Sequence, residues 1–384
     1  MARLGDVCDV RDGTHDSPVY IDRGFPLVTS KNIINGKLDL SVVNYISPED
    51  YNKINERSNV ECGDIIMPMI GTIGNPYIVG DFTDFAIKNV ALIKFNNEQI
   101  NNKYIYHFLN SEKFNKYVAE NNRGGTQKFL SLKDIRNLEV EVPSLKEQLI
   151  IIEKLDELNE LILSRKQQLS KLDELVKARF VEMFGDKGKQ VPLIDYVWFQ
   201  EGPGVRSVDF TEDGTILLTG SNINDNTISF GHKSDRHISN ELSSGKYAHF
   251  MCDKDDILVV SSAIDPDKFD KKVVVVDTDK KYCLNTGIIR FKPNKQYLTL
   301  GYFREFLKTD YFKRQVSSEM RGIAQMHFGP SHLKQMTILL PDTIEQQIEF
   351  ESFVQKTDKS KFEIQQSLEK LETLKKSLMQ QYFG

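Results

Sequence analysis

Two stretches of the chain carry apolar residues at three- and four-residue intervals, while the segments ahead of them carry short β-branched runs punctuated by Gly, Asn and Asp. In the first stretch Ile151, Leu155, Leu158, Ile162, Leu169, Leu172 and Val176 follow the helical spacing, interrupted once by Arg165. This predicts a long helix with a coiled-coil seam. In the second, Phe350, Phe353, Val354, Ile364, Leu368, Leu371, Leu374 and Leu378 are apolar, with polar Thr357, Lys359, Ser360 and Lys361 between, so the seam has a soft centre. A capping signature opens each helix, Ser144 with Glu147 and Asp342 with Glu345. A helix of about 40 residues spans roughly 60 Å, far more than one globular unit needs for its own core. Antiparallel packing of the helices against each other, as a spacer between two globular units, is the simplest way to bury both seams.

The segments before the helices read as strand-rich units, with runs such as Asp64 to Ile70 and Asp256 to Ser262. A short helix is expected around Lys103 to Glu120 and around Leu300 to Val316, and each unit is expected to close on a strand ending at Pro143 or Pro341. The two halves also repeat each other. GFPLVTSKNI (Gly24 to Ile33) parallels GTILLTGSNI (Gly214 to Ile223), NVALIKF (Asn89 to Phe95) parallels NTGIIRF (Asn285 to Phe291), and RGGTQ (Arg123 to Gln127) parallels RGIAQ (Arg321 to Gln325). Pro143, Glu147 and Gln148 fall against Pro341, Glu345 and Gln346, and Phe184-Gly185 against Phe383-Gly384. The offset drifts from 190 to 199, as duplication followed by small loop insertions leaves it. That is too long a period for a solenoid. The expected architecture is α+β: a domain over 1–143, a helix over 144–185, a second domain over 186–341 and a second helix over 342–384.

Composition narrows the class without naming it. A length of 384 residues at 40% hydrophobic content suits a chain of two or three ordinary domains. Neither a leader-like N-terminus nor an apolar run of membrane-spanning length is present, so a cytoplasmic location is expected. Cys8, Cys62, Cys252 and Cys283 are scattered, without disulfide or zinc spacing. The net charge of −5 argues against nucleic-acid binding through bulk positive charge, leaving local basic clusters as the only route. Short catalytic look-alikes fail on inspection. Asn75-Pro76-Tyr77 lacks a proline of the amino-methyltransferase signature, and Ser244-Gly245-Lys246 lacks the glycine and hydroxyl residue of a phosphate loop. Asp253, Asp255 and Asp256 have no partner at nuclease spacing and read as a solvated turn.

The alternation of two strand-rich units with two long helices, the TSKNI and TGSNI segments, and the P-x-x-x-E-Q junction opening each helix resemble the DNA specificity subunit of type I restriction-modification systems. The resemblance covers the whole chain. It implies two target-recognition domains that each read one half of a split sequence in double-stranded DNA, with the helices fixing the gap. It further implies two methyltransferase subunits docked on the scaffold and motor-nuclease (restriction) subunits joining the larger complex. The methyl donor S-adenosylmethionine would bind those partners, so this chain is expected to hold no cofactor, no metal and no catalytic residue.

Candidate DNA contacts are loop residues that combine charge or amide groups with glycine, which lets backbone approach phosphate while the side chains reach base edges. Arg123, Gln127 and Lys128 in the first half are matched by Arg321 and Gln325 in the second, and Lys31 and Asn32 by Ser221 and Asn222. Matched residues suit phosphate positioning or a structural turn, because two domains reading different bases should differ where they read. Thr14, His15, Arg206 and Arg236 lie where the copies differ and are the candidate base readers. Plainer readings stand beside these: Arg and Gln can steady a turn, and His15 can be a polar loop residue. Two other functions stay open at this level, an enzyme acting alone and a coiled-coil adaptor that binds no DNA.

Overall fold

Short apolar runs such as Ile65–Pro68, Val90–Lys94 and Ile257–Val260 are buried on both faces, and among the described residues each half builds two sheets of three or four strands beside two two-stranded ones. The computed structural model describes residues 1–121, 129–185, 187–231, 233–262, 265–318 and 327–384. It separates into two units, Met1–Gln167 with Gln365–Gly384, and Gln168–Ile364. None of the described helices is long and apolar enough to cross a membrane.

In the first unit a four-stranded antiparallel sheet runs in the order Asp9–Asp12, Val90–Lys94, Ile65–Pro68, Tyr77–Ile78. Its register sets Asp12 against Ala91 and Pro68 against Val90. A second sheet pairs Phe25–Val28 antiparallel with Asn44–Ile46 and parallel with Ala86–Ile87. Ala2–Arg3 pairs with Glu139–Val140 to close the domain. The second unit repeats this plan. Its first sheet runs Val197–Glu201, Ile288–Pro293, Ile257–Val260, Val273–Val275. In its second, Thr215–Leu218 lies parallel to Cys283–Leu284, and Lys189–Pro192 closes against Thr337–Leu340.

A buried ion pair locks each main sheet. Lys94 donates to Asp64 at 2.7 Å and to Glu61 at 2.8 Å; in the second half Lys292, at the place of Lys94, and Arg290 both face the corresponding Asp256 at 3.4 Å. The acidic run of the second half is thus spent on cations: Asp253 pairs with Lys281 and Lys292, and Asp255 with Lys295.

The single helix expected after the strands is two helices in each half, Asn102–Phe108 with Glu112–Asn121, and Leu300–Phe306 with Asp310–Ser318. Hydroxyls make the break, because Ser111 accepts the N–H of Phe114 and Thr309 that of Phe312. The closing strand of the first half is only Glu139–Val140, shorter than the run to Pro143 suggested.

The long helices are Leu145–Met183 and Ile344–Phe383. Ser144 caps the first as expected, its hydroxyl and N–H meeting Glu147. The second starts one residue later than the sequence suggested: Thr343, not Asp342, accepts the N–H of Gln346. Consequently Gln148 corresponds to Gln347 rather than Gln346, and both are buried, at 0% and 1% exposure.

The helices pack as an antiparallel pair. In the second unit Arg179 bonds Glu349 at 2.8 Å and Asp173 pairs with Lys361, so numbering rises along one helix as it falls along the other. In the first unit Lys166 bonds Glu372 at 2.9 Å. The seam differs in detail from the periodicity. Ile152, Phe180 and Phe184 are buried, Ile151, Leu169 and Leu172 only half-buried, and Leu374 is exposed. Neither 163–175 nor 358–367 contains a fully buried side chain, so both helices have a soft centre.

The repeated Phe-Gly signature has a physical cause. Phe383, near the end of the second helix, packs on Tyr104 of the first domain with ring centroids 5.3 Å apart. Phe184, near the end of the first helix, packs on the matching Tyr302 of the second domain at 4.8 Å. Each domain therefore holds the start of its own helix and receives the end of the other.

Candidate nucleic-acid interface

Parallel pairing brings three loops of each domain to one edge. In the first domain Val28 and Ile87 end neighbouring parallel strands, and Thr14 bridges to Lys88 alongside them. The segments Thr14 to Ser17, Thr29 to Asn32 and Lys88-Asn89 leave the sheet side by side, tied by bonds from Lys88 N to Val28 O (2.9 Å) and from Thr14 N to Ile87 O (3.0 Å). The second domain repeats this, with Asn285 N donating to Leu218 O (3.0 Å) and Thr286 N to Pro203 O (3.0 Å).

Asn32 and Asn222 organise the central loop. The Asn32 Oδ1 accepts from Thr29 N at 3.0 Å, while its Nδ2 donates to the carbonyls of Asp39 (3.1 Å) and Val42 (3.0 Å). In the second domain Asn222 accepts from Thr219 N at 3.0 Å and donates to Ser229 O (3.1 Å) and Asp235 Oδ1 (2.8 Å). Both are buried, so their amides are committed to the turn and act on a ligand only by shaping it. Lys31 and Ser221, one residue earlier, are exposed.

His15 is exposed and both its ring nitrogens meet acceptors, Nδ1 at 2.8 Å from Asn89 Oδ1 and Nε2 at 2.9 Å from Asp12 Oδ2. A doubly protonated imidazole satisfies both at once. The bond to Asn89 and then that to Asp12 raise its pKa above the ordinary histidine value, against burial and the nearby Arg57, which also pairs with Asp12. Lys88 donates to Ser17 Oγ at 2.8 Å. Thr14 accepts the N–H of Asp16 at 3.1 Å. Thus His15, Lys88 and Arg57 gather positive charge at this edge of an acidic chain.

In the second domain Arg206 is exposed beside the Pro203 to Val205 loop, and Arg236 is exposed with its guanidinium donating to the carbonyls of Lys233 (3.0 Å) and Asp235 (2.8 Å). Arg123, Gln127, Lys128, Arg321 and Gln325 lie outside the described residues. The chain following them is anchored beside the same edge: Leu130 N donates to Met69 O at 2.9 Å, and Phe328 N to Ser261 O at 2.9 Å. The sequence reading missed Lys88, Asn89 and Asn285. The two asparagines open the NVALIKF and NTGIIRF segments, but nothing in those segments marks them as loop contacts, and Lys88 lies outside them. Among the described residues no group of three His, Cys, Asp or Glu could hold a metal ion.

The family model described as type I restriction modification DNA specificity domain matches this chain twice, over residues 1–174 and 197–376. The chain is 24% identical over 184 residues to the type I restriction enzyme MjaVIII specificity subunit of Methanocaldococcus jannaschii, covering 46% of this chain and 43% of that protein. It is 29% identical over 139 residues to the type I restriction enzyme EcoBI specificity subunit of Escherichia coli, covering 36% of this chain and 29% of that protein. The aligned stretches thus span less than half of these relatives. The fold matches the crystal structure of the type I restriction-modification S subunit from M. genitalium with a TM-score of 0.56, at 14% identity, over 100% of this chain and 95% of that one. A chain from a structure of the type I R-M system, titled for its complex assembly and conformational transition, gives the same TM-score of 0.56 at 18% identity, covering 100% and 96%.

Proposed function

Because this chain belongs to the family of type I restriction modification DNA specificity domains, we propose that it is the non-catalytic subunit that reads a split target in double-stranded DNA. Domains 1–143 and 186–341 each read one half, and the helices of 144–185 and 342–384 set the gap. The observation that carries this reading is the three-loop edge present in both domains, built on the same parallel strand pair and the same buried asparagine.

The two copies share their scaffold and differ in their tips. Asn32 and Asn222 keep the turn, whereas Lys31 is replaced by Ser221 and His15 by the glycine-rich stretch ahead of Arg206. Shared scaffold positions the duplex and divergent tips distinguish bases. Thr14, His15, Arg206 and Arg236 are the proposed readers, Lys31 and Ser221 the backbone contacts, and Arg123, Gln127, Lys128, Arg321 and Gln325 the contacts of the adjoining loops. DNA repeats about every 34 Å, so two readers joined by helices address successive groove faces. Two methyltransferase subunits, carrying the methyl donor, and restriction subunits would dock on this scaffold. Base modification requires the target nucleotide to be flipped, which demands that the whole complex be held in register.

Selection of bound duplexes from a random library by the chain with its methyltransferase partner tests this. Enrichment of two short sequences at a fixed separation is expected. Binding without base preference would instead favour a protein adaptor.

A further inference from the structure

We propose that Asn89 and Asn285 are positioning residues, each holding the first loop of its domain in the pose that reads DNA. The inference rests on the DNA-reading function above and adds to it the device that aims the loops.

Asn285 directly follows the shorter of the two parallel strands of its domain, and Asn89 stands two residues past its own, where Lys88 takes the place of Asn285. The root of each loop is pressed onto the end of that strand. A Cβ on Gly13 would lie 2.4 Å from Ile87 O, and one on Gly202 would lie 2.3 Å from Asn285 O, closer than any side chain tolerates. Beyond the root, the asparagine adds a side-chain contact to the loop. Asn89 donates its N–H to Thr14 O at 3.2 Å and offers Oδ1 to His15 Nδ1 at 2.8 Å. Asn285 offers Oδ1 to Val205 N at 3.4 Å and to Thr286 N at 2.9 Å.

The same kind of acceptor therefore fixes a side chain in one domain and a backbone amide in the other. That difference follows from the loops themselves. Pro203-Gly204-Val205 has no polar side chain to hold, so only backbone is available, whereas Thr14 to Ser17 presents His15. An amide oxygen suits a surface facing phosphates, because it accepts a hydrogen bond without adding negative charge. Asn89 also has a φ of 55°, in the left-handed region that asparagine tolerates better than most residues. Its backbone and side-chain roles must therefore be separated experimentally, and glycine does so by keeping the conformation while removing the amide.

Library selection with the assembled complex reads the two halves independently. Asn89→Gly is expected to lower base discrimination in the first half roughly tenfold and leave the second intact, and Asn285→Ala to do the reverse. Asn89→Asp and Asn285→Asp, which keep the acceptor, are expected to restore base preference while weakening overall affinity, since each adds a negative charge. The untouched half in each variant reports on folding. Wild-type preference at both halves in Asn89→Gly and Asn285→Ala would overturn the inference, as would equal loss at both halves. Absence of any split preference in the unmodified complex would overturn the DNA-reading function, and the inference with it.

Discussion

The side chain of Gln148 accepts the backbone N–H of Asn101 at 2.9 Å, and Gln347 accepts that of Thr299 at 3.0 Å. Each glutamine also donates back to the domain, Gln148 to the carbonyls of Gln99 and Pro143 and Gln347 to Tyr297 O, all at 2.9 Å. A buried amide on the first turn of each long helix thus fastens the helix to the domain before it. Gln148→Ala removes this link from part-buried backbone groups, a loss of about 1–2 kcal/mol. Chemical denaturation should show a lower midpoint, and Gln347→Ala should do the same. An unchanged midpoint would mean that water replaces the amide.

This latch also shows how far the sequence was legible. The repeat, both long helices and their antiparallel pairing follow from periodicity and the drifting offset. The one-residue misplacement at Asp342 arose because Glu345 imitates a capping partner, whereas Thr343 supplies a hydroxyl at the spacing that Ser144 uses. Burial on the seam was misjudged at Ile151 and Leu374 because helical spacing fixes a stripe of positions but not its angle toward the partner. Candidate loops were found through charge and glycine, and Asn89 was passed over because its role depends on a strand pairing that no local pattern announces.

Glu305 is buried between Arg304 at 2.8 Å and Lys308 at 2.9 Å, and Arg304 reaches Asp358 on the second helix at 3.0 Å. Burial works to raise the Glu305 pKa, but Lys308 and Arg304 outweigh it and hold the carboxyl below its ordinary value. Its contribution is therefore present above the unfolded carboxyl pKa and is lost as pH falls through the folded one. Glu305→Ala leaves two buried cations without their carboxylate and should cost about 3 kcal/mol. Thermal melting near neutral pH would reveal it, with the gap between variant and parent narrowing in acid.

His15 carries the pH dependence of the first loop. Its raised pKa means that the charged form, bonded to Asn89 and Asp12 beside Arg57, is favoured below the ordinary histidine pKa and lost as pH rises through the raised one. Affinity for the first half-site should fall as pH rises past the ordinary histidine range, and His15→Gln should flatten the profile. Titration of binding against duplexes altered in one half at a time would check this. Equal pH dependence at both halves would reject it.

Spacer length should follow helix length. Seven residues inserted after Leu163, matched by seven after Leu374 on the antiparallel partner, add about 10 Å of helix. At roughly 3.4 Å per base pair, the gap in the recognised sequence should grow by about three base pairs with both half-sites unchanged. A changed half-site would contradict the spacer role.

The central claim, that this chain supplies sequence specificity, is tested most directly by mapping adenine methylation across the genome of a methylation-free host. The chain would be expressed with a candidate methyltransferase partner and compared with that partner alone. A split motif that appears only when the chain is present is the predicted result. An assembled complex that binds methyl donor yet adds no methylated motif would contradict it.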